Sequence, residues 1–462
     1  MAQSINTQNQ LYVDNEPTWI KVKDICKGTN LDKYLIKMNP LDTSDENVLR
    51  NKQYYERAVF YALAGYTVRG MIGIMFRKDP NLDVPPMLDY VEKNVDGAGV
   101  SIFQQSHQVC KEIIQVGRAG LWVDFPATDE NISLRDLTNR KVFSTIKEFE
   151  ATQIINWSTI REGSDIKLSQ VVLTDTYETE ENEIKDLIIE LALDQGVYIY
   201  RQYIEDEDGS WVINKEATPT KGDGSTWDFI PFVFIGSEDN SPTVDLAPMH
   251  DIVRINIGHW NNSATYENSV WFAGQPQPWM SGLTEDYIKL LNENNMYVGS
   301  GRLLAVPSGE TFGYAQAPPS TMAKEAMKDK VEMCIGLGAM FIQPGSAVKT
   351  ATQSEGERET SHSILSLIAV NVSEAYTKAL GYAAMFMNEN PEDIAYGINQ
   401  EYVKPQATAQ ELQAIVASLL QGAMPFSDYV EWCKKHGFIE PTKTVEEVSE
   451  EVGWSGFVDR EV

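Results

Sequence analysis

Five histidines, His107, His250, His259, His362 and His436, and four cysteines, Cys26, Cys110, Cys334 and Cys433, hold the metal-binding and nucleophilic capacity of this sequence. No histidine stands in an HxxxH or HExxH spacing and no CxxC occurs, so no zinc site is spelled out. His107 and Cys110 are one helical turn apart, but two ligands do not close a zinc site. A buried thiol beside an ordinary histidine accounts for them. The scattered cysteines read as reduced thiols used as small hydrophobes. GxSxG, GxGxxG and the phosphate-cradling GxxxxGK[ST] are absent. Carboxylates are abundant, so their spacing says little; Asp206, Glu207 and Asp208 read as a solvated hairpin tip. Trp157, Trp211 and Trp227 fall in a β-rich region, where core packing is the commoner role of tryptophan. No catalytic constellation emerges. The chain is not read as an enzyme, and no cofactor or metal is expected.

The stretch that organises the rest is Asp245–Gly282. Met249, Ile252, Val253, Ile257, Trp260, Ala264 and Trp271 recur at helical spacing. Pro248 suits a first helical turn, and Gly274, Pro276 and Pro278 stop the helix. About 26 residues make a rod of roughly 40 Å. Its polar face, Asp251, Arg254, Asn256, Asn261, Asn262 and Glu267, is rich in amides rather than ion pairs. Such a rod either buries in a large core or packs beside copies of itself.

At 462 residues the chain exceeds one small core, so two or three domains are expected. The N-terminus MAQSINTQNQ has no charged n-region or apolar h-region, and no signal peptide is read there. No apolar run is long enough to span a bilayer. The 67 acidic and 38 basic residues leave a net charge of −29. That balance excludes tight wrapping of nucleic acid, which needs clustered Lys and Arg to release counterions. It fits a solubilising surface, or one that lets nucleic acid pass without sticking.

Along the chain, residues 1–48 read as a polar arm or short helix pair. Residues 49–78 read as a helix with Tyr55, Val59, Ala62, Tyr66 and Ile72 on one side. Gly65, Gly70 and Gly73 interrupt it and imply close packing or a bend. Residues 87–118 form one or two helices closed by Gly117, and 120–126 a strand. Between 150 and 236, β-branched and aromatic runs separated by turn clusters give one antiparallel sheet packed on the N-terminal helices. Its best hairpin joins VYIYRQYI to SWVIN. After the long helix, residues 275–319 form a compact Gly/Pro-rich insertion anchored by Leu303, Leu304, Phe312 and Tyr314. It includes a short helix at 285–292 and a strand at 302–306. A second helix at 320–338, capped by Ser320, carries Met322, Ala326, Met327, Val331 and Ile335 on one face. The small polar segment 343–354 has Lys349 as its only charge before Ser354. A third long helix spans 356–388, with Ile364, Leu365, Ile368, Val372, Ala375, Tyr376, Ala379 and Ala383 apolar. Thr408 and Glu411 form a capping box for a C-terminal helix. A further helix at 428–435 is closed by Gly437, and the acidic tail after Pro441 is read as loose.

This order of parts resembles the portal proteins of tailed bacteriophages. DLAPMHDIVRINIGHWNNSATYENSVWFAGQPQPWMSGL is similar to a portal stem helix leading into the clip. GAMFIQPGSAVKTATQSEGERETSHSILSLIAVNVSEAYTKAL is similar to the returning stem, the tunnel loop and the long wing helix. ATAQELQAIVASLLQGAMPFSDYVEWCKKHGFI is similar to a two-helix crown. The resemblance implies an α+β fold. Its parts would be an N-terminal arm and wing at 1–244, stem helices at 245–272 and 320–340, and a clip at 273–319. A tunnel loop at 341–357, a long wing helix at 358–400, and crown helices with an acidic tail at 401–462 would complete it.

The resemblance further implies a homo-oligomeric ring, taken as a dodecamer, at one vertex of the virion capsid and assembled in the host cytoplasm. Double-stranded DNA would pass through it without being tightly bound. Other partners would be the terminase large subunit, a head–tail adaptor, and the major capsid or scaffolding protein; no membrane is involved. Stem packing would fall to Ile252, Ile257, Trp260, Trp271, Met327 and Val331. The DNA-facing loop would use Gln343, Ser346, Lys349, Thr350 and Thr352. Glu285, Asp286, Lys289 and Arg302 would meet the motor or adaptor. Two other readings stand beside it: a different head–tail connector or minor capsid protein, and a carbohydrate-active enzyme with paired carboxylates facing a tryptophan-lined cleft in the β region.

Overall fold

The computed structural model describes residues 4–126, 142–179, 182–275, 277–282, 284–286, 288–289, 311–316, 321–342, 363–400, 409–420, 424–435, 439 and 443–452. The chain divides into two units, Met1–Ile398 and Asn399–Val462. Helices and antiparallel sheets are mixed in the first, an α+β arrangement.

Where a polar arm or short helix pair was expected over 1–48, one long helix and a short 3-10 turn form. Tyr12, Trp19, Val22 and Cys26 lie on one helical face and are buried, which makes α1 (Gln10–Lys27) a core element. Asn9 caps it and Gly28, in the left-handed region, ends it. Leu11, Val13 and Ile20 on the far face are exposed and blur the pattern in the sequence.

The helix expected over 49–78 is two, α2 (Asp45–Arg57) and α3 (Leu63–Met75), and the break at 58–62 contains no glycine. Tyr55, Val59 and Tyr66, expected inside, are exposed, whereas Ala64, Val68, Met71, Ile72 and Met75 are buried. Of the three glycines, only Gly65 marks a close approach. A Cβ there would meet the Cys26 carbonyl oxygen, while Gly70 and Gly73 face open space. Gly65→Val is therefore expected to destabilise by about 1–3 kcal/mol through overpacking. Gly70→Ala should stabilise by up to about 1 kcal/mol through helix propensity. Thermal melts of the two variants in opposite directions would bear this out; equal melts would refute the α1–α3 crossing.

After β1 (Asn81–Asp83), α4 (Ile102–Val116) closes on Gly117, as expected, and opens on a Ser101/Gln104 capping box that the sequence reading did not single out. Two separate sheets follow where one was expected. β2 (Arg118–Asp124) is the centre of a three-stranded sheet between β3 (Thr145–Glu150) and β9 (Phe232–Gly236). The run FIPFVFIG thus pairs with β2 rather than extending the other sheet. That other sheet is a five-stranded meander of β4 (Ile154–Glu162), β5 (Asp165–Glu178), β6 (Ile184–Asp194), β7 (Val197–Glu205) and β8 (Trp211–Ala217). The expected β7–β8 hairpin is present, Glu205 opposite Trp211, with Asp206, Glu207 and Asp208 exposed at its tip.

Three long helices complete this unit: α5 (His250–Ala273), α6 (Thr321–Met340) and α7 (Ile364–Phe386). Pro248 lies in the turn before α5 rather than in its first helical turn. α7 packs on β2 and β9; Leu365, Ile368, Val372, Ala375, Tyr376, Ala379 and Ala383 are buried and Ile364 is exposed. Its residues after Phe386 are not helical: a 3-10 turn leads to β12 (Ala395–Gly397), which pairs with β1. Between α5 and α6, β10 (Gln277–Ser281) pairs antiparallel with β11 (Thr311–Ala315). The sequence reading saw only helix-stopping prolines at β10. The strand expected at 302–306 lies outside the described residues.

The second unit contains α8 (Ala409–Leu420), α9 (Phe426–Lys435) and α10 (Val445–Val452), with Leu419, Val430, Cys433 and Val448 buried. α10 corrects the expectation of a loose tail. Thr444 and Glu447 form a reciprocal capping box at its start, with Glu447 N–H donating to Thr444 Oγ1 and Thr444 N–H to Glu447 Oε2. Thr408 and Gly437 lie outside the described residues.

Candidate functional site

α5 begins from a fixed root. Arg118 on β2 is buried, donates from Nη1 to the Thr243 carbonyl at 2.7 Å, and lies over the Trp157 and Phe234 rings at 4.3 and 4.2 Å. Burial pulls its guanidinium down to about 9, and Asp245 opposes that pull. The segment leading into α5 is thereby tied to the three-stranded sheet.

The first half of α5 is embedded in the unit. Ile252 and Trp260, expected to pack a stem, lie in the chain's own core, with Trp260 edge-on to Phe60 and Tyr55. The amide-rich side of α5 is not a solvated face. Asn256 is fully buried; its Nδ2 donates to Tyr61 O at 2.9 Å and its Oδ1 accepts from Ala64 N at 3.0 Å. Ser263 Oγ donates to Val59 O, and Asn261 bonds both Tyr34 O and Ile36 N. The break between α2 and α3 frees backbone groups, and α5 side chains satisfy them.

The second half of α5 runs out toward β10 and β11. Ile257 is half-buried, while Val270, Trp271 and Phe272 are exposed, with the Arg57 guanidinium over the Trp271 ring at 4.0 Å. Gln316 Nε2 donates to Ala273 O, which brings the end of α5 beside the end of β11. Farther along, a Cβ on Gly258 would meet the Lys330 chain, so α6 returns antiparallel along α5. At 24 and 20 residues these helices are about 36 and 30 Å long. In the hairpin between them, Gly313 lies opposite Trp279 and leaves room for its indole, and the rings of Trp279 and Tyr314 are exposed.

α6 has one buried residue, Cys334. Met327 and Val331 are half-buried, as is Ala326. Met322 and Ile335, expected on that same face, are exposed by 79% and 67%, and Met333 and Met340 by 56% and 55%. Taken at about 100° per residue, the five positions of the expected face spread over more than half the helix circumference. Glu285, Asp286 and Lys289 are exposed on a short helical stretch. Arg302, Gln343, Ser346, Lys349, Thr350 and Thr352 lie outside the described residues.

A concavity of about 730 Å3 lies on the five-stranded sheet, where Glu190, Arg201, Tyr203, Glu205 and Trp211 meet Ser4–Thr7. Both Glu190 oxygens are engaged, one by Gln170 and the other by Tyr203 and Arg201. The Glu190 carboxylate thereby ties β5, β6 and β7 together. Trp157 and Trp227 are buried in the core. His107 is exposed against Phe76 whereas Cys110 is fully buried, so the two do not converge. All four cysteines are free and buried; burial pushes the Cys26 and Cys334 thiols up to about 12 and 11. Among the described residues no cluster could hold a metal ion, and no helix is long and apolar enough to cross a membrane.

The fold and this hairpin define an α+β protein built around two long antiparallel helices with a small β insertion. Residues 248–387, from the root of α5 through α7, match the family described as Domain of unknown function (DUF4055). No curated protein matches the chain. Among solved structures it is similar to a chain from the neck of an empty gene transfer agent particle computed with C6 symmetry, at 12% identity and TM-score 0.35, over 82% of this chain and 90% of that one. A chain from the virion of a native gene transfer agent particle is similar at 13% identity and TM-score 0.37, over 82% and 91%.

Proposed function

We propose that this chain is the subunit of a portal ring, a channel for double-stranded DNA at a capsid vertex. The observation that carries the reading is α6, a twenty-residue helix packed against α5 and, near its C-terminal end, against α3, with four large apolar side chains in solvent. Exposed apolar surface of that extent on a regular rod marks an interaction face. The α5–α6 pair forms the stem, with Ile257, Trp271, Met327 and Val331 nearer its open part than Ile252 and Trp260. β10, β11 and the residues between them form the clip, where Glu285, Asp286, Lys289 and Arg302 meet the terminase large subunit and later a head–tail adaptor. The segment 341–357, between α6 and α7, reaches the DNA through Gln343, Ser346, Lys349, Thr350 and Thr352. The net charge of −29 per subunit, repeated around a ring, repels phosphates and keeps the passage slippery.

Negative-stain imaging and sedimentation of the purified chain test this. Rings with a central hole are expected. Their fraction should rise as salt goes from about 0.01 M to about 0.1 M, because screening relieves repulsion between acidic subunits. Compact monomers at every salt concentration would overturn the reading.

A further inference from the structure

α6 carries two seams rather than one. Met322, Ala326, Asp329, Met333, Gly336 and Met340 follow each other at alternating steps of four and three residues. Lys324, Lys328, Val331 and Ile335 do the same on the opposite flank, up to Gly338, which lies against Thr67 of α3. The side between them, centred on Cys334, is the one buried in the unit. Met322, Met333 and Met340 on the first seam are exposed, as are Lys324, Lys328 and Ile335 on the second. Asp329 and Lys328 are both exposed, and among the described residues neither makes an ion pair.

We infer that the methionine seam of α6 docks on the lysine seam of α6 in a second copy of this chain, with Asp329 of one copy paired to Lys328 of the next. This rests on the ring reading. The occupant follows from complementarity. One seam is apolar with an acid at its middle, and the other carries Lys328 at the matching height beside Val331 and Ile335. Copies related by rotation about one axis have parallel helices at equal height, so unlike flanks face each other. Asp329 and Lys328 then differ by one residue, about 1.5 Å along the axis. A two-fold dimer would set a seam against itself and leave the charges unmatched. Methionines suit such a contact because their side chains adapt to a neighbour's surface.

Charge reversal tests the pairing. Asp329→Lys and Lys328→Asp, each alone, are expected to lower the ring fraction about tenfold at matched concentration, through a like-charge clash repeated at every contact. The double variant K328D/D329K should restore it. A second readout is covalent: oxidised K328C/D329C should give a ladder extending beyond dimers, while D329C alone gives none. Circular dichroism of each variant verifies that these exposed positions leave the fold intact. Rings of the parent with single reversals that assemble equally well would overturn the pairing and leave the ring reading standing. So would a double variant that folds but fails to recover, or dimers from D329C alone. A parent that forms no ring would overturn both.

Discussion

Asn256→Leu is expected to lower the stability of the first unit by about 1–3 kcal/mol, because the buried Ala64 N–H loses its hydrogen-bond partner. The Ala64 N–H is left by the break between α2 and α3 and donates to the fully buried Asn256 Oδ1, while the Tyr61 carbonyl accepts from both Asn256 Nδ2 and Leu63 N–H. Leucine matches the volume but has neither a donor nor an acceptor, and water has no route to a residue with no exposure. Asn262→Leu, at a half-buried position on the same helix, should change stability by less than about 0.5 kcal/mol. Urea unfolding of the full chain, followed by tryptophan fluorescence, separates the two; Trp260 lies one turn from Asn256 against Phe60 and Tyr55 and reports this region. A loss for Asn256→Leu below about 1 kcal/mol would mean the break is held by packing alone. In the ring reading the same variant would also loosen the root of the stem.

Asn256 shows why part of the architecture was hidden in the sequence. A helical wheel places Asn256, Asn261 and Ser263 among the polar residues of α5, and polarity alone assigns them to solvent. Their partners are main-chain atoms at positions 34, 36, 59, 61 and 64, roughly two hundred residues away. The break at 58–62 is equally silent, having no glycine or proline; the tertiary clamp makes it. By contrast, α4, the β7–β8 hairpin, α7 and the end of α9 at Lys435 were legible, because each depends on local periodicity, caps or turn residues. The α10 capping box was legible in principle through Thr444 and Glu447, and its acidic composition masked it. For the candidate site, the existence of α5 and α6 could be read. Which flanks of α6 stay open could not, since that depends on where α5 lies against it. β10 was concealed by Pro278, which is tolerated because a two-stranded ribbon is all edge.

Removing the charge of Glu148 should stabilise the protein in a pH-dependent way. Glu148 on β3 points into a cavity between α1, α4 and β3 that also holds Lys23, Lys27, Lys111, Glu112 and Glu150. Lys23 is committed to Glu112 at 2.6 Å and to Glu150 at 2.7 Å. Glu148 Oε2 is buried without a hydrogen-bond partner. Burial, reinforced by Glu150, Glu112 and Asp96, pushes the Glu148 carboxyl up to about 7 from an ordinary value of 4.5. A carboxyl whose pKa is raised by folding binds its proton more tightly in the folded state. Stability therefore falls as pH rises from about 4.5 through 7, and the cost is complete above that, at most about 3 kcal/mol. Glu148→Gln keeps the shape and removes the titration. Its stability should equal that of the parent near pH 4.5 and exceed it above pH 7, so that the two curves of unfolding free energy against pH diverge across that window. A gain that is constant with pH would assign the effect to packing, and a loss at pH 8 would show that the ionised Glu148 is held by a favourable partner.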